Sequence, residues 1–326
     1  MAMARYLITG IAGFIGSNIA HALVARGEEV RGIDDFRHGR PENLAGILDK
    51  IDLREADVTD AAAIDAACRN IDYVLHQAAL GSVPRSLEDP VASNQANVVG
   101  TLQVLQAARA ARVKRVIYAS SSSVYGDTSV LPKREDMICD PISPYAVSKY
   151  AGELYARSFF RLMSLETVGL RYFNVFGPRQ HPTSPYAAVI PKFIRAILAG
   201  EQPTIYGDGK QSRDFTYVDN VVSANLLACS APAEKVVGGV FNVAAGKNFS
   251  VNDLYALLQG LTGFRRGALY AAPRSGDVRD SLADISRAEK AMGYRTLVEF
   301  EEGLRRTVEW YKREFVRNTG SAWATV

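Results

Sequence analysis

Residues 143–150, Ser-Pro-Tyr-Ala-Val-Ser-Lys-Tyr, place a phenol and an ammonium, Tyr145 and Lys149, four positions apart. If Pro144 opens a helix, both side chains leave the same face, with Cβ atoms about 5–6 Å apart. A free phenol has a pKa near 10, and a fixed positive charge beside it favours the phenolate. Lowering that pKa by about three units corresponds to roughly 4 kcal/mol of differential interaction. A phenolate of this kind is a general base for a hydroxyl proton. The same residues also suit an amphipathic helix with a solvated lysine, so the rest of the chain must decide. Upstream, an apolar run ends in four consecutive hydroxyls, Ser120 to Ser123. Alone they read as a solvated loop. At the end of a parallel strand they stand where open α/β sheets bind ligands.

A second cluster lies near the start. "TGIAGFIGS" sets Gly10, Gly13 and Gly16 between an apolar run and a helical segment. Glycines there allow a tight turn and let backbone N–H groups and a helix N-terminus approach a pyrophosphate. Asp34 ends the next apolar run, near the spacing expected of a carboxylate that accepts ribose hydroxyls and repels a 2′-phosphate. That favours NAD over NADP. Arg37 and Arg40 stand close enough to receive a 2′-phosphate, which leaves NADP open.

The elements that carry these clusters alternate. Strand-like runs cover 5–10, 28–34, 72–79, 115–121 and 167–175, with a weaker one at 51–58. Helix-periodic segments cover 13–26, 60–68, 91–111 and 144–163, and another covers 300–317. Such alternation predicts an α/β fold with a parallel sheet covered by helices on both faces, a Rossmann-type doubly wound sheet. Beyond residue 174 the rhythm loosens into Gly- and Pro-rich loops, which predicts a smaller C-terminal substrate-binding α/β domain. The expected division is 1–173, joined by returning segments near 215–245, and 174–326.

Composition bounds the function classes. The 326 residues are 48% hydrophobic and 22% charged with a formal charge of +3, and the basic residues are scattered, which gives little support to nucleic-acid or membrane binding. Cys68, Cys139 and Cys229 lack the spacing of a disulfide framework or zinc site, and His21, His38, His76 and His181 show no metal-ligand spacing. A reduced, cytoplasmic protein without structural metal is expected. The first strand starts too early for a signal peptide, and no stretch approaches a transmembrane span.

Taken together, the glycine turn, the serine run and the Tyr145/Lys149 helix resemble the extended short-chain dehydrogenase/reductase family, from Gly10 to Tyr311. The resemblance implies a catalytic trio of Ser121, Tyr145 and Lys149, with the nicotinamide ring adding positive charge beside the phenol. It also implies cofactor contacts from Gly10, Gly13, Phe14, Ile15, Gly16, Asp34, Asp57, Val58, Ala78, Ala79, Asn97, Tyr145 and Lys149, with Tyr172 and Val175 near the nicotinamide. Dehydratases of the family carry an Asp–Glu pair where this chain has Ser122 and Ser123, and the decarboxylases' loop glutamate is missing too. What remains is oxidation and re-reduction at one carbon, the outcome of a 4-epimerase.

Later segments look like those of UDP-sugar 4-epimerases. The likeness implies a sugar pocket bordered by Gly81, Ser82, Ser121, Ser122, Ser123, Tyr145 and Gln180, and Asn174 as a pyrophosphate or sugar contact. Ala188 and Val189 would lie beside the uridine diphosphate, Tyr206 on uracil, Arg213 and Arg274 on phosphate, and Asp277 on the uridine ribose. Hexose-only enzymes often carry a tyrosine where this chain has Ser281, and a serine leaves room for an N-acetyl group. The pattern most resembles UDP-N-acetylglucosamine 4-epimerases, which implies interconversion of UDP-GlcNAc and UDP-GalNAc through a 4-keto sugar on tightly bound NAD. UDP-glucose/UDP-galactose conversion is the alternative, alone or as a second activity. A non-catalytic NAD sensor would have no use for the trio, and a net reductase would need NADPH, against Asp34. The 91–111 and 144–163 helices are expected to pair in a homodimer, as is usual in the family.

Overall fold

The structure, a computed structural model, describes residues 3–181, 188–273 and 279–319. Short apolar runs form parallel strands: β1 (Arg5–Thr9), β2 (Glu29–Asp34), β3 (Ile51–Glu55), β4 (Tyr73–His76), β5 (Arg115–Ser121) and β6 (Glu166–Tyr172). A seventh strand, Val240–Val243, joins beside β6, and the order across the sheet is Val240–Val243, β6, β5, β4, β1, β2, β3. The order reverses between β1 and β4. Such a switch opens a crevice at the carboxyl ends of the strands.

Alternation along each strand sorts the core. Ile8, Leu75 and Ile117 face one way, with α1 (Phe14–Ala25) and a later helix, Val218–Ser230. Leu7, Val74 and Val116 face the other way, against α2 (Ala61–Cys68), α5 (Gly100–Ala110) and α6 (Pro144–Met163). Between α2 and α5 lie α3 (Val83–Glu88) and α4 (Pro90–Asn94). α6 is well punctuated. Ser143 accepts the Ala146 amide at 3.2 Å, Pro144 sits in the first turn, and Ser164 ends the helix with φ +56°.

The expected 91–111 helix is interrupted by a π-helical turn, Gln95–Val99, between α4 and α5. The wider turn has a purpose at Asn97, described below. α3 was not foreseen; Ser82 caps it and Pro84 lies in its first turn. The strands expected to reach 58, 79 and 175 end earlier, at Glu55, His76 and Tyr172.

The remaining described chain gathers around aromatic side chains. Phe176, Phe193, Phe215, Tyr217, Tyr255 and Phe300 share one core with helices Val189–Leu198, Val251–Thr262 and Phe300–Thr319. Phe215 and Phe300 stack with centroids 5.1 Å apart. Short strand pairs complete this smaller C-terminal α/β part: Val175–Phe176 with Thr216–Tyr217, Ser212–Arg213 with Phe249–Ser250, and Thr204–Tyr206 with Leu269–Ala271. Among the described residues, no helix is long and apolar enough to cross a membrane, and no cluster of His, Cys, Asp or Glu could hold a metal.

Candidate active site

The glycine turn is built so closely that side chains are excluded. Gly10 has φ +68°, and a Cβ there would stand 2.8 Å from backbone atoms of Ala78. At Gly16 a Cβ would stand 2.1 Å from the Gly10 carbonyl oxygen. α1 therefore starts hard against the turn. Its cap, Gly13, has no side chain to engage the first-turn amides, and that turn, begun by the partly exposed Phe14 and Ile15, carries no acidic residue. Amide donors and the positive helix end thus stay available to a diphosphate.

Asp34, only 7% exposed, accepts the Ala12 amide at 2.8 Å and the Phe36 amide at 2.9 Å. Burial pushes its pKa up, and the two amide bonds oppose the shift. A carboxylate offers about four lone-pair sites, so acceptor capacity remains for ribose hydroxyls. The arginines that would welcome a 2′-phosphate are already committed. Arg37 is held by Asp35 at 2.5 Å and by Asp57, and Arg40 by Glu42 at 3.5 Å. Asp57 also accepts the Thr59 amide at 2.8 Å, which fixes the turn around Val58. The glycine cradle, uncapped helix and ribose acceptor fit NAD.

Two expected cofactor contacts have other partners. Asn97, buried, accepts the Leu80 amide at 2.7 Å and donates to Ser148 Oγ at 2.9 Å, so the π turn braces the loop after Ala78 and Ala79 against α6. Tyr172 pairs in register with Ser121, but its hydroxyl donates to Gln77 at 3.2 Å and accepts from Asn225 at 2.9 Å. Val175 is partly buried in the strand that follows.

The structure brings Ser121, Tyr145 and Lys149 together. The Ser121 hydroxyl lies near enough to the Tyr145 phenol to oppose its upward shift, and it accepts from Ser123 N at 3.2 Å and Ser123 Oγ at 2.9 Å. Ser122 begins the short helical turn that follows the strand. The Lys149 ammonium lies 6.0 Å from the centre of the Tyr145 ring and donates to the Ala119 carbonyl at 2.9 Å. Burial raises the Tyr145 pKa, with the Ser121 hydroxyl opposing it, and pushes Lys149 down to about 8. Burial by itself thus favours the neutral phenol, and Lys149 turns its charge to a main-chain oxygen. Nearby His76 sits between Thr9 Oγ1 at 2.7 Å and Thr101 Oγ1 at 2.9 Å. Burial, then the Lys149 charge, pushes its pKa down to about 3, so it stays neutral.

Of the expected substrate contacts, Asn174 and Ser281 come together, 107 residues apart in sequence. Asn174 Nδ2 donates to the Asp214 carbonyl at 3.2 Å and reaches Ser281 Oγ at 3.4 Å. Asp214 is buried, and its carboxylate accepts the amides of Ala245, Gly246 and Ala283 at 2.9, 3.1 and 3.1 Å. Burial pushes its pKa up to about 6 despite those bonds. Gly81 faces open space, and Ser82 accepts the Arg85 amide at 3.2 Å; their helix, α3, lies against α6. Gln180 donates to the Val175 carbonyl at 3.1 Å, while its buried side-chain oxygen has no partner among the described residues. Ala188 and Val189 form the start of the Val189–Leu198 helix, which has no side-chain cap. Tyr206 is exposed, and Arg213 donates to the carbonyls of Ser212 and Arg279, each at 2.9 Å. Arg274 and Asp277 lie outside the described residues.

Sequence reasoning missed a buried group beneath the serine run. Ser120, Glu153 and Arg171 form a hydrogen-bonded set. One signal was readable: Glu153 follows Lys149 by four residues and Tyr145 by eight, so all three share a helical stripe.

Comparison with known proteins agrees with this geometry. Residues 6–244 match the NAD dependent epimerase/dehydratase family. The UDP-glucose 4-epimerase of Mycolicibacterium smegmatis is 40% identical over 314 residues, 95% of this chain and 99% of that protein. The solved UDP-N-acetylglucosamine 4-epimerase of Methanobrevibacter ruminantium, in complex with UDP-N-acetylmuramic acid, superposes with a TM-score of 0.92 at 42% identity, covering 96% of this chain and 100% of that one. The UDP-glucose 4-epimerase of Thermotoga maritima, solved with UDP-glucose, superposes with a TM-score of 0.91 at 37% identity, covering 95% and 99%. The chain belongs to the NAD dependent epimerase/dehydratase family, within the extended short-chain dehydrogenase/reductases, and its cofactor is NAD.

Proposed function

We propose that this chain, an NAD-dependent UDP-sugar 4-epimerase, interconverts UDP-GlcNAc and UDP-GalNAc. The observation that carries the acetylated substrate is Ser281: its small side chain stands 3.4 Å from the Asn174 amide. A tyrosine there would fill the space that an N-acetyl group needs. The named likeness to a UDP-N-acetylglucosamine 4-epimerase supports the reading. Ser281 does not exclude the smaller hexose, and the relatives named for UDP-glucose favour UDP-Glc/UDP-Gal conversion as a second activity.

In the proposed mechanism, Tyr145 takes the proton of the sugar 4-hydroxyl and returns it after the 4-keto sugar has presented its other face. Ser121 donates to the same oxygen, and Ser123 keeps its hydroxyl oriented. Lys149 holds positive charge beside the phenol from its seat on the Ala119 carbonyl. The turn at Gly10, Gly13 and Gly16 and the Asp34 carboxylate would hold NAD, which would supply the hydride acceptor and donor for C4 and a positive charge beside Tyr145. Arg213, Arg274, Asp277, Tyr206, Ala188 and Val189 serve the UDP end, and Gly81 and Ser82 border the sugar. The division at residue 174 and a homodimer through α5 and α6 belong to this reading. α6 carries Val147, Leu154 and Leu162 at 51, 47 and 79% exposure, an apolar stripe that suits pairing with a second copy.

Proton NMR of the purified protein with equimolar UDP-GlcNAc and UDP-glucose, without added cofactor, tests the proposal. Early UDP-GalNAc is expected, with UDP-galactose slower. Tyr145→Phe should lower turnover by about 10²–10⁴-fold, the usual worth of a general base. Exclusive UDP-galactose would overturn the substrate, and an active Tyr145→Phe protein the mechanism.

A further inference from the structure

We infer that Ser120, Glu153 and Arg171 are positioning residues for the reaction, locking the end of β5 to α6 so that Ser121 and Tyr145 meet one substrate oxygen. The inference rests on the catalytic roles proposed above for Ser121 and Tyr145.

Three consecutive residues of β5 face three turns of α6. The Ala119 carbonyl accepts from Lys149 at 2.9 Å, Ser120 Oγ donates to Glu153 at 2.5 Å, and Ser121 stands near Tyr145. The outer two meetings involve the proposed reacting groups Lys149, Ser121 and Tyr145, all partly exposed. Only the middle joint is sealed: Ser120 is 3% exposed and Glu153 0%.

Glu153 is in turn fixed from the neighbouring strand. Arg171 on β6 donates through Nε at 2.9 Å and through a second nitrogen at 2.7 Å, a two-pronged pair that sets the carboxylate's plane. Arg171 is the register partner of Ser120, so the pair spans two strands and one helix. Its guanidinium lies 4.7 Å from the centre of the Tyr125 ring and touches Cys139 Sγ at 3.2 Å, while one nitrogen, Nη1, is buried without a partner among the described residues. A buried ion pair with an unsatisfied donor is a poor way to gain stability, because desolvation consumes most of the attraction. It is a good way to fix direction. Base and donor must share an oxygen, and displacing such a group by about 1 Å costs on the order of 10²-fold in rate.

Ser120→Ala removes the middle joint while leaving the ion pair and every proposed reacting group in place. On holoenzyme, kcat should fall about tenfold or more, with KM for UDP-GlcNAc or UDP-glucose within about twofold of wild type. A second variant, Glu153→Leu with Arg171→Met, replaces the pair by apolar groups of similar size, which is often neutral for stability. It should fold with bound NAD and show the same loss in kcat. Wild-type kcat in Ser120→Ala, or in a folded double variant, overturns the inference; so does a loss confined to KM. Tyr145→Phe in parallel separates the readings. If it keeps wild-type turnover, the proposed mechanism fails first; if it is inactive while Ser120→Ala is normal, only the positioning role fails.

Discussion

Ser281→Tyr tests the proposed basis of substrate choice. The Ser281 backbone is pinned: its amide donates to the Ser212 carbonyl at 3.1 Å, the preceding Asp280 carboxylate accepts from Ser212 Oγ at 2.6 Å, and the Ala283 amide is held by buried Asp214 at 3.1 Å. A larger side chain therefore cannot be absorbed by moving the chain, and the ring must extend into the cleft beside Asn174, the neighbour 3.4 Å away. An acetamido group at C2 brings several heavy atoms into that space, where a hydroxyl brings one. Overpacking of this size costs about 1–3 kcal/mol, which converts to roughly 5–150-fold. We expect kcat/KM for UDP-GlcNAc to fall by that factor and kcat/KM for UDP-glucose to stay within about threefold. The assay is initial-rate NMR with each substrate alone on protein whose bound NAD has been quantified. Equal losses with both sugars refute the size argument, because a general disturbance of Asn174 would tax both alike.

The glycine turn gives a sharper structural test. Gly16→Ala drives a methyl to 2.1 Å from the Gly10 carbonyl oxygen, which belongs to backbone and cannot rotate away, so loss of co-purified NAD and a thermal midpoint lowered by several degrees are expected; normal NAD content would contradict the packing. Lys149 sets a pH limb. Its folded pKa is lowered by burial to about 8 from 10.5, so the ammonium is complete below that value and lost above it. Activity should decline as pH rises through about 8, and a kcat/KM profile flat to pH 10 would remove Lys149 from the reaction. The sign for stability is opposite: the unfolded chain holds this proton up to about 10.5, so the lysine's cost to folding shrinks between pH 8 and 10.5. Sedimentation of Leu154→Glu together with Leu162→Glu should find monomer if α6 pairs with its copy, and an unchanged dimer would place the interface elsewhere.

Much of this was legible because periodicity and punctuation are local. Apolar runs bounded by turns named the strands, and the Gly10–Gly13–Gly16 spacing followed by Asp34 named the cofactor end. Pro144 announced the helix that carries Tyr145 and Lys149. Illegible parts depended on what the fold places side by side. The π turn at Gln95–Val99 leaves no mark in the periodicity of 91–111, since one widened turn barely shifts the apolar phase. Asn97's partners, Leu80 and Ser148, come from two other elements. The upward push on Tyr145 was illegible for a related reason: burial, its largest cause, exists only after α6 has docked on β5.

The two ends of the site also differ in how they are held, and that difference bears on the chemistry. The proposed base stands on a long helix whose face is tied to a central strand through Lys149 and Glu153, with a sealed ion pair behind the second tie. Asn174 and Ser281 are held through Asp214, which gathers amides from two separate segments. Apart from these fixtures, Gly81 faces open space. A 4-epimerase needs this contrast. The proton acceptor must be in one place for both halves of the reaction, so its mount must be stiff, while the keto sugar must turn between them, so its surroundings must grip little. Rigidity in the Tyr145 mount and room at Gly81 and Ser281 are then complementary requirements of one reaction, and loosening the first should cost kcat where crowding the second costs substrate choice.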